Sequence, residues 1–343
     1  MNVKAFISGV AGSRLEADEA AFFAGEQPWG LILFKRNCRE PAEIRDLVAG
    51  FREAVGRPDA PVLIDQEGGR VQRLQPPNWP PYPPGRTFGL IAEQDEGKGI
   101  RAAWLQGRLM GADLADVGVS IDCVPVLDVA VPGVTDAIGN RSFGGDPQRV
   151  ATLGRAMAEG MMAAGLLPTM KHMPGHGRAV VDSHYHLPVV DADLDTLVAT
   201  DFAPFAALAD LPIGMTSHVV YRTIDPERPA TTSPVIVRDI IRGRISFRGL
   251  LLSDDVSRNA LSGDYGERAR AIRDAGVDIV LHCNGRIEEM RAVADASAAL
   301  AGESGERAAR ALSMIRKPEP LDRKAAREEL VALANSVGWR AAA

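Results

Sequence analysis

The chain has 343 residues, 46% of them hydrophobic and 24% charged, which suits a globular protein with a sizeable core. Its formal net charge of -6 argues against a nucleic-acid partner, because phosphate binding needs a basic face. No apolar run approaches the roughly 20 residues of a membrane span, and the first apolar run is too short for a signal peptide, so no membrane association is expected. Cys38, Cys123 and Cys283 are few, odd in number and far apart, which excludes a disulfide framework and fits a reducing cytoplasm.

Short apolar runs alternate with helical patterns along the whole chain. Strands are expected at residues 4–8, 30–34, 61–64, 119–126, 169–172, 213–216, 250–252 and 277–281. Helices are expected at 15–24, 43–55, 99–117, 147–164, 194–208, 234–245, 265–275 and 288–300, with further helices at the end. The proline-rich stretch from Pro76 to Gly85 reads as an extended surface excursion. The strands are rich in Val, Ile and Leu, as expected when both faces are buried. Eight β/α units without a composition break predict an α/β fold, a single-domain (β/α)8 TIM barrel over residues 1–343, with C-terminal helices from about 318 packing on it. No Gly-x-Gly-x-x-Gly follows the first strand, which disfavours a doubly wound sheet.

Polar residues follow most of the strands, where a barrel gathers its active site. Asp65, Arg73, Arg141, Lys171, His172, His184, His218 and Asp254 therefore belong to one candidate pocket. Asp254 and Asp255 are adjacent on extended chain, so one is expected to face the pocket and the other to turn away; helix capping is the competing role. Asp182 stands two residues before His184, a spacing that lets a carboxylate hold an imidazole and favour its charged form. Lys171 at a strand end suits a Schiff-base nucleophile, a substrate donor or an ion-pair partner.

Four of the six histidines, His172, His176, His184 and His186, fall close together and raise a metal-binding reading. Pro174-Gly175 separates the first two, so they do not share a helical face, and metal catalysis is not the preferred chemistry.

The stretch Lys171-His172-Met173-Pro174-Gly175-His176-Gly177, with Asp182-Ser183-His184, resembles the signature of family 3 glycoside hydrolases, in particular the bacterial β-N-acetylglucosaminidase (β-hexosaminidase) branch of cell-wall recycling. Ile64-Asp65-Gln66-Glu67-Gly68-Gly69-Arg70-Val71-Gln72-Arg73, Pro125-Val126-Leu127-Asp128-Val129, Gly139-Asn140-Arg141-Ser142-Phe143 and Ser253-Asp254-Asp255 extend the resemblance over most of the chain. It implies a retaining exo-β-N-acetylglucosaminidase that removes terminal β-linked N-acetylglucosamine from peptidoglycan fragments such as GlcNAc-anhydroMurNAc and its peptides. By the same resemblance Asp254 is the nucleophile and His184, with Asp182, the acid/base, while Asp65, Arg73, Arg141, Lys171 and His172 bind the sugar. No cofactor or metal is implied, and the partner is a small amino-sugar substrate. Three departures stand out: Met173 in place of a usual phenylalanine, Asp122 where asparagine or serine is familiar, and Arg258 where many relatives carry methionine. A phosphorylase, a broader β-glycosidase and a catalytically silent sugar-binding barrel are the rival readings.

Overall fold

The computed structural model describes residues 3–133, 137–179 and 187–341. Eight parallel strands close into a barrel: β1 (Lys4–Ser8), β2 (Pro28–Leu33), β3 (Val62–Ile64), β4 (Ile121–Asp122), β5 (Leu167–Met173), β6 (Ile213–Thr216), β7 (Leu250–Asp255) and β8 (Ile279–His282). Each pairs with its neighbours in sequence, and β8 closes on β1 with Phe6 opposite Val280 and Ser8 opposite His282. The (β/α)8 expectation is met. Within it β4 is much shorter than expected; the ladder resumes at a single bridge between Val126 and Lys171, because Pro125 has no N–H to offer.

Alternation along the strands sorts the apolar residues into two layers. Ile7, Ile32, Leu63, Ile121, Leu167, Ile213, Leu250, Leu252, Ile279 and Leu281 fill the barrel interior. Phe6, Leu31, Leu33, Val62, Ile64, Met170, Leu251 and Val280 point outward against the helices. Ala308 and Ala311 of the helix Gly302–Leu312 close the N-terminal end of the interior, with Val3 and Leu300 beside them.

The helices are tight against one another where glycine allows it. A Cβ on Gly107 would collide with the Met157 carbonyl, and one on Gly160 with the Trp104 carbonyl, so the helices Glu96–Ala115 and Pro147–Ala163 approach almost backbone to backbone. The proline-rich stretch departs from expectation. Pro76 to Asn78 are exposed, but Trp79 and Tyr82 are buried, and the Tyr82 hydroxyl donates to Asp113 at 2.7 Å. A helix absent from the sequence reading, Gly85–Gln94, follows directly. The expected helix at 194–208 is two pieces, Leu194–Ala199 and Ala203–Ala207. The helix Arg323–Asn335 lies on the outside of the barrel, tied to Glu96–Ala115 by Arg323–Asp116 at 2.6 Å and Arg101–Glu329 at 2.8 Å.

Asp278 anchors the opposite end of β7. Its carboxylate accepts from Arg242 and Arg307 at 2.8 Å each, from Ser304 at 2.6 Å and from the Leu251 N–H at 2.9 Å. Asp278→Ala leaves two arginines and a strand N–H without their acceptor, so it is expected to cost about 3–5 kcal/mol, read as a lower urea midpoint. A loss below about 1 kcal/mol would show that solvent replaces the carboxylate.

Candidate active site

The barrel interior ends in a polar layer because the alternation continues past the last apolar residue. After inward Leu63 the next inward position is Asp65, and after it Glu67. After inward Leu252 it is Asp254, and after Leu281 it is Cys283. These residues, with Lys171, His172, Arg73, Arg141, Asp255 and Arg258, line a cavity of about 230 Å³ floored by Ile32, Met215 and Leu281.

Two local irregularities enlarge this layer. Between Met170 and Met173 the β5–β6 register shifts, so that both Lys171 and His172 line the cavity. Between Leu252 and Asp255 the β7–β8 register shifts as well, with Ile279 opposite Leu252 and Leu281 opposite Asp255. Both residues border the cavity, but their carboxylates divide as expected: the Asp255 oxygens accept from the Ser257 N–H at 2.9 Å and from its hydroxyl at 2.6 Å, a local capping role, which leaves Asp254 to face the pocket.

The Gly68-Gly69 turn, with φ of 93° and 57°, folds the chain after β3 back on itself; Glu67 N–H bonds to the Val71 carbonyl at 2.8 Å. It brings Arg73 beside Asp65, at 3.1 Å. Lys171, 2% exposed, donates to Asp65 and to Glu67 at 2.7 Å each. Arg141 forks onto both oxygens of Glu67 at 2.8 and 2.7 Å. Phe34 packs under the Arg73 guanidinium, 5.2 Å from its ring centre. On the other side, Asp128 accepts from His172 through Nδ1 at 2.7 Å and from the His176 N–H at 2.7 Å. Glu67 and Asp128 are site residues that received no role from sequence. Both lie inside quoted motifs, and Glu67 falls on the inward parity of Asp65, which is the signal that identifies it.

The electrostatics follow from these contacts. Burial alone would keep Asp65 protonated, but Lys171 and Arg73 outweigh it and hold the acid well below its usual range. Burial likewise opposes ionisation of Glu67, and Arg141 with Lys171 brings it down to about 2. For Lys171 burial favours loss of the proton, yet Asp65 and Glu67 reverse that and raise it. A lysine held as ammonium has no lone pair to offer, so the Schiff-base option has no support and the ion-pair and donor options fit. Asp254, also buried, is held well below the ordinary carboxylate range by Arg258, His218 and His172. His176 is pushed down to about 4 by burial. His218 is lowered for the same reason, with Nε2 donating to the Asp255 carbonyl at 2.8 Å and Nδ1 2.9 Å from the Thr231 hydroxyl. Buried Asp122, outside the cavity, is pushed well above its normal value by burial, while accepting from the Gln66 N–H at 2.9 Å.

Asp65, Arg73, Arg141, Lys171, His172 and Asp254 are thus brought together, as the barrel reading expected. His184, Asp182 and His186 lie outside the described residues. Among the described residues no group of three or more His, Cys, Asp or Glu side chains is arranged to hold a metal ion. A larger open groove of about 510 Å³ beside the helix Tyr265–Asp274 lacks such convergence; its Glu227, Arg228 and Asp274 face solvent.

Lys171→Met removes the buried cation between buried Glu67 and half-buried Asp65 and should destabilise the protein by about 3–5 kcal/mol at pH 7. In the wild type Asp65 and Glu67 are depressed in the folded state. Their contribution is therefore full above the unfolded value near about 4 and is lost as pH falls through the folded values. The gap between wild type and variant should narrow as pH falls from about 5 toward 2, followed by urea titration at each pH. A constant gap would sink this account.

Comparison with known proteins agrees with this geometry. Residues 5–313 match the Glycosyl hydrolase family 3 N terminal domain. The chain is 40% identical over 279 residues to a β-hexosaminidase of Methylococcus capsulatus, covering 80% of this chain and 81% of that one. It is 39% identical over 306 residues to a β-hexosaminidase of Xylella fastidiosa, covering 88% of each. Among solved structures, NagZ from Neisseria gonorrhoeae in complex with N-trifluoroacetyl-D-glucosamine superposes with a TM-score of 0.87 at 30% identity, over 97% of this chain and 99% of that one. Sequence, barrel and cavity converge, and the chain belongs to glycosyl hydrolase family 3 as a glycoside hydrolase.

Proposed function

We propose that this glycoside hydrolase, a β-N-acetylhexosaminidase, releases terminal β-linked N-acetylglucosamine from peptidoglycan-derived fragments, GlcNAc-anhydroMurNAc and its peptides, with retention of configuration. The observation that carries the proposal is Asp254, an anionic carboxylate aimed into a cavity whose other wall is the Lys171, Arg73 and Arg141 donor cluster. Asp254 attacks the anomeric carbon and forms a glycosyl-enzyme, which water then cleaves. Asp65, through its carboxylate, and Arg73, Arg141, Lys171 and His172 hold the ring hydroxyls. Arg73 Nε, buried and without a partner among the described residues, is one such donor.

The proton must come from elsewhere. Asp65, Glu67 and Asp254 are all held ionised, so none of them carries a proton at neutral pH. His218 is buried with both ring nitrogens engaged. These facts support His184, backed by Asp182, as the general acid and then the general base. The β-hexosaminidases among the relatives, and the glucosamine derivative bound by the gonococcal NagZ, support the sugar.

No helix among the described residues is long and apolar enough to cross a membrane, and Cys38, Cys123 and Cys283 are free thiols. We take the enzyme to be cytoplasmic, with residues 1–343 forming one catalytic domain.

Asp254→Ala should lower kcat on aryl β-N-acetylglucosaminides roughly 10⁴-fold, the scale seen when a member of a catalytic unit is removed. His184→Ala should cost about 10²–10⁴-fold in kcat/KM on natural disaccharides but less than about tenfold on substrates with activated leaving groups, which need no proton. Equal losses on both substrate classes would remove His184 from the acid role.

A further inference from the structure

Arg258 enters the cavity from the loop that follows β7 and is not used by the reaction as described above. Its guanidinium sits 3.3 Å from Asp254 Oδ1, with the arginine side chain 18% and the aspartate side chain 6% exposed. The same Oδ1 accepts the Asp255 N–H at 2.7 Å. A backbone donor and a cation from one short loop therefore converge on one oxygen of the carboxylate. We infer that Arg258 is a positioning residue that fixes Asp254 Oδ1, presents Oδ2 to the anomeric carbon, and makes the carboxylate a better leaving group in the second displacement.

The inference rests on the assignment of Asp254 as nucleophile. In the first displacement Oδ2 bonds to the anomeric carbon as the glycosidic C–O bond breaks, and the departing oxygen takes the proton of the general acid. In the second, water loses a proton to the general base as its oxygen bonds to the anomeric carbon, and the C–Oδ2 bond breaks with its electron pair returning to Asp254. A guanidinium on Oδ1 stabilises that returning charge. It therefore slows attack somewhat and speeds release. Among the described residues, the other charged and titratable groups around Asp254 are His218 from the end of β6, His172 from β5 and His176 just beyond it, Asp255 beside it, Cys283 after β8, and Arg141 across the cavity near Arg258. Of the cations, only Arg258 is in ion-pair contact with Asp254 among the described residues.

The test uses Arg258→Met and Arg258→Lys in the full chain, with an activated aryl β-N-acetylglucosaminide and mass spectrometry of the quenched enzyme. In Arg258→Met, kcat and KM should fall together by roughly tenfold, the effect of about one unit in leaving-group pKa. A pre-steady-state burst should appear, a glycosyl adduct should accumulate on the peptide carrying Asp254, and the acid limb of the kcat/KM profile should move to higher pH. Arg258→Lys, which keeps a charge, should recover part of the release rate, and it stands in should the methionine variant fail to fold. An unchanged adduct lifetime, or a rise in KM with kcat intact, overturns the role of Arg258. Absence of any adduct on Asp254, in wild type treated with a slow fluorinated sugar as well as in the variants, instead overturns the nucleophile assignment.

Discussion

The site depends on one ammonium group kept out of water. Lys171 reaches from a strand that is buried on both faces into a pocket where almost no solvent touches it. A charge in that position is tolerable only with close counter-charges and satisfied hydrogen bonds. Asp65 and Glu67 supply them from the neighbouring loop, and each is in turn held by an arginine. Three cations, Lys171, Arg73 and Arg141, face two carboxylates, so this wall carries a surplus of positive charge directed at Asp254. The network fixes the β3 and β5 ends relative to each other before any ligand arrives, which is how a rigid site lowers the cost of ordering a substrate.

The barrel and the positions of the polar residues at its mouth were legible because both depend on periodicity. Apolar runs separated by helical patterns specify the alternation of β and α, and parity along each strand carries the inward series from Leu63 to Asp65 and from Leu252 to Asp254. That Asp255 also reaches the edge of the cavity was not legible. A register shift depends on how two strands meet, and neither strand records it alone. Asp128 was quoted in a motif yet left without a role for a similar reason: its partners, His172 and His176, come from a strand end more than forty residues onward.

The proline-rich stretch shows the opposite error. Proline content suggested exposure, because proline is common on surfaces. Yet prolines also let a chain run extended through a packed region without unsatisfied N–H groups. Trp79 and Tyr82, interleaved with them, were the usable signal: large aromatic groups at that spacing need somewhere to be buried. Tyr82 finds its place against Asp113, and Arg327 of the last helix reaches the same hydroxyl at 3.0 Å. A segment read as decoration thus ties the third βα connection to the end of the chain.

The division of labour in the cavity follows from its charge. Groups that must remain charged, Asp254 and the Lys171 network, sit on strand ends where buried partners hold their ionisation far from neutral pH. Such groups are poor proton carriers, because efficient transfer needs a pKa near the working pH. Tuning one of the cavity carboxylates upward would require removing a cation from beside it, and that would leave Lys171 or Asp254 unbalanced. The proposed mechanism therefore takes its general acid from a different kind of group, on a segment outside this network. On the proposed reading His184, on the connection after β5, is that group, and its imidazole chemistry suits the task without disturbing the Lys171 network.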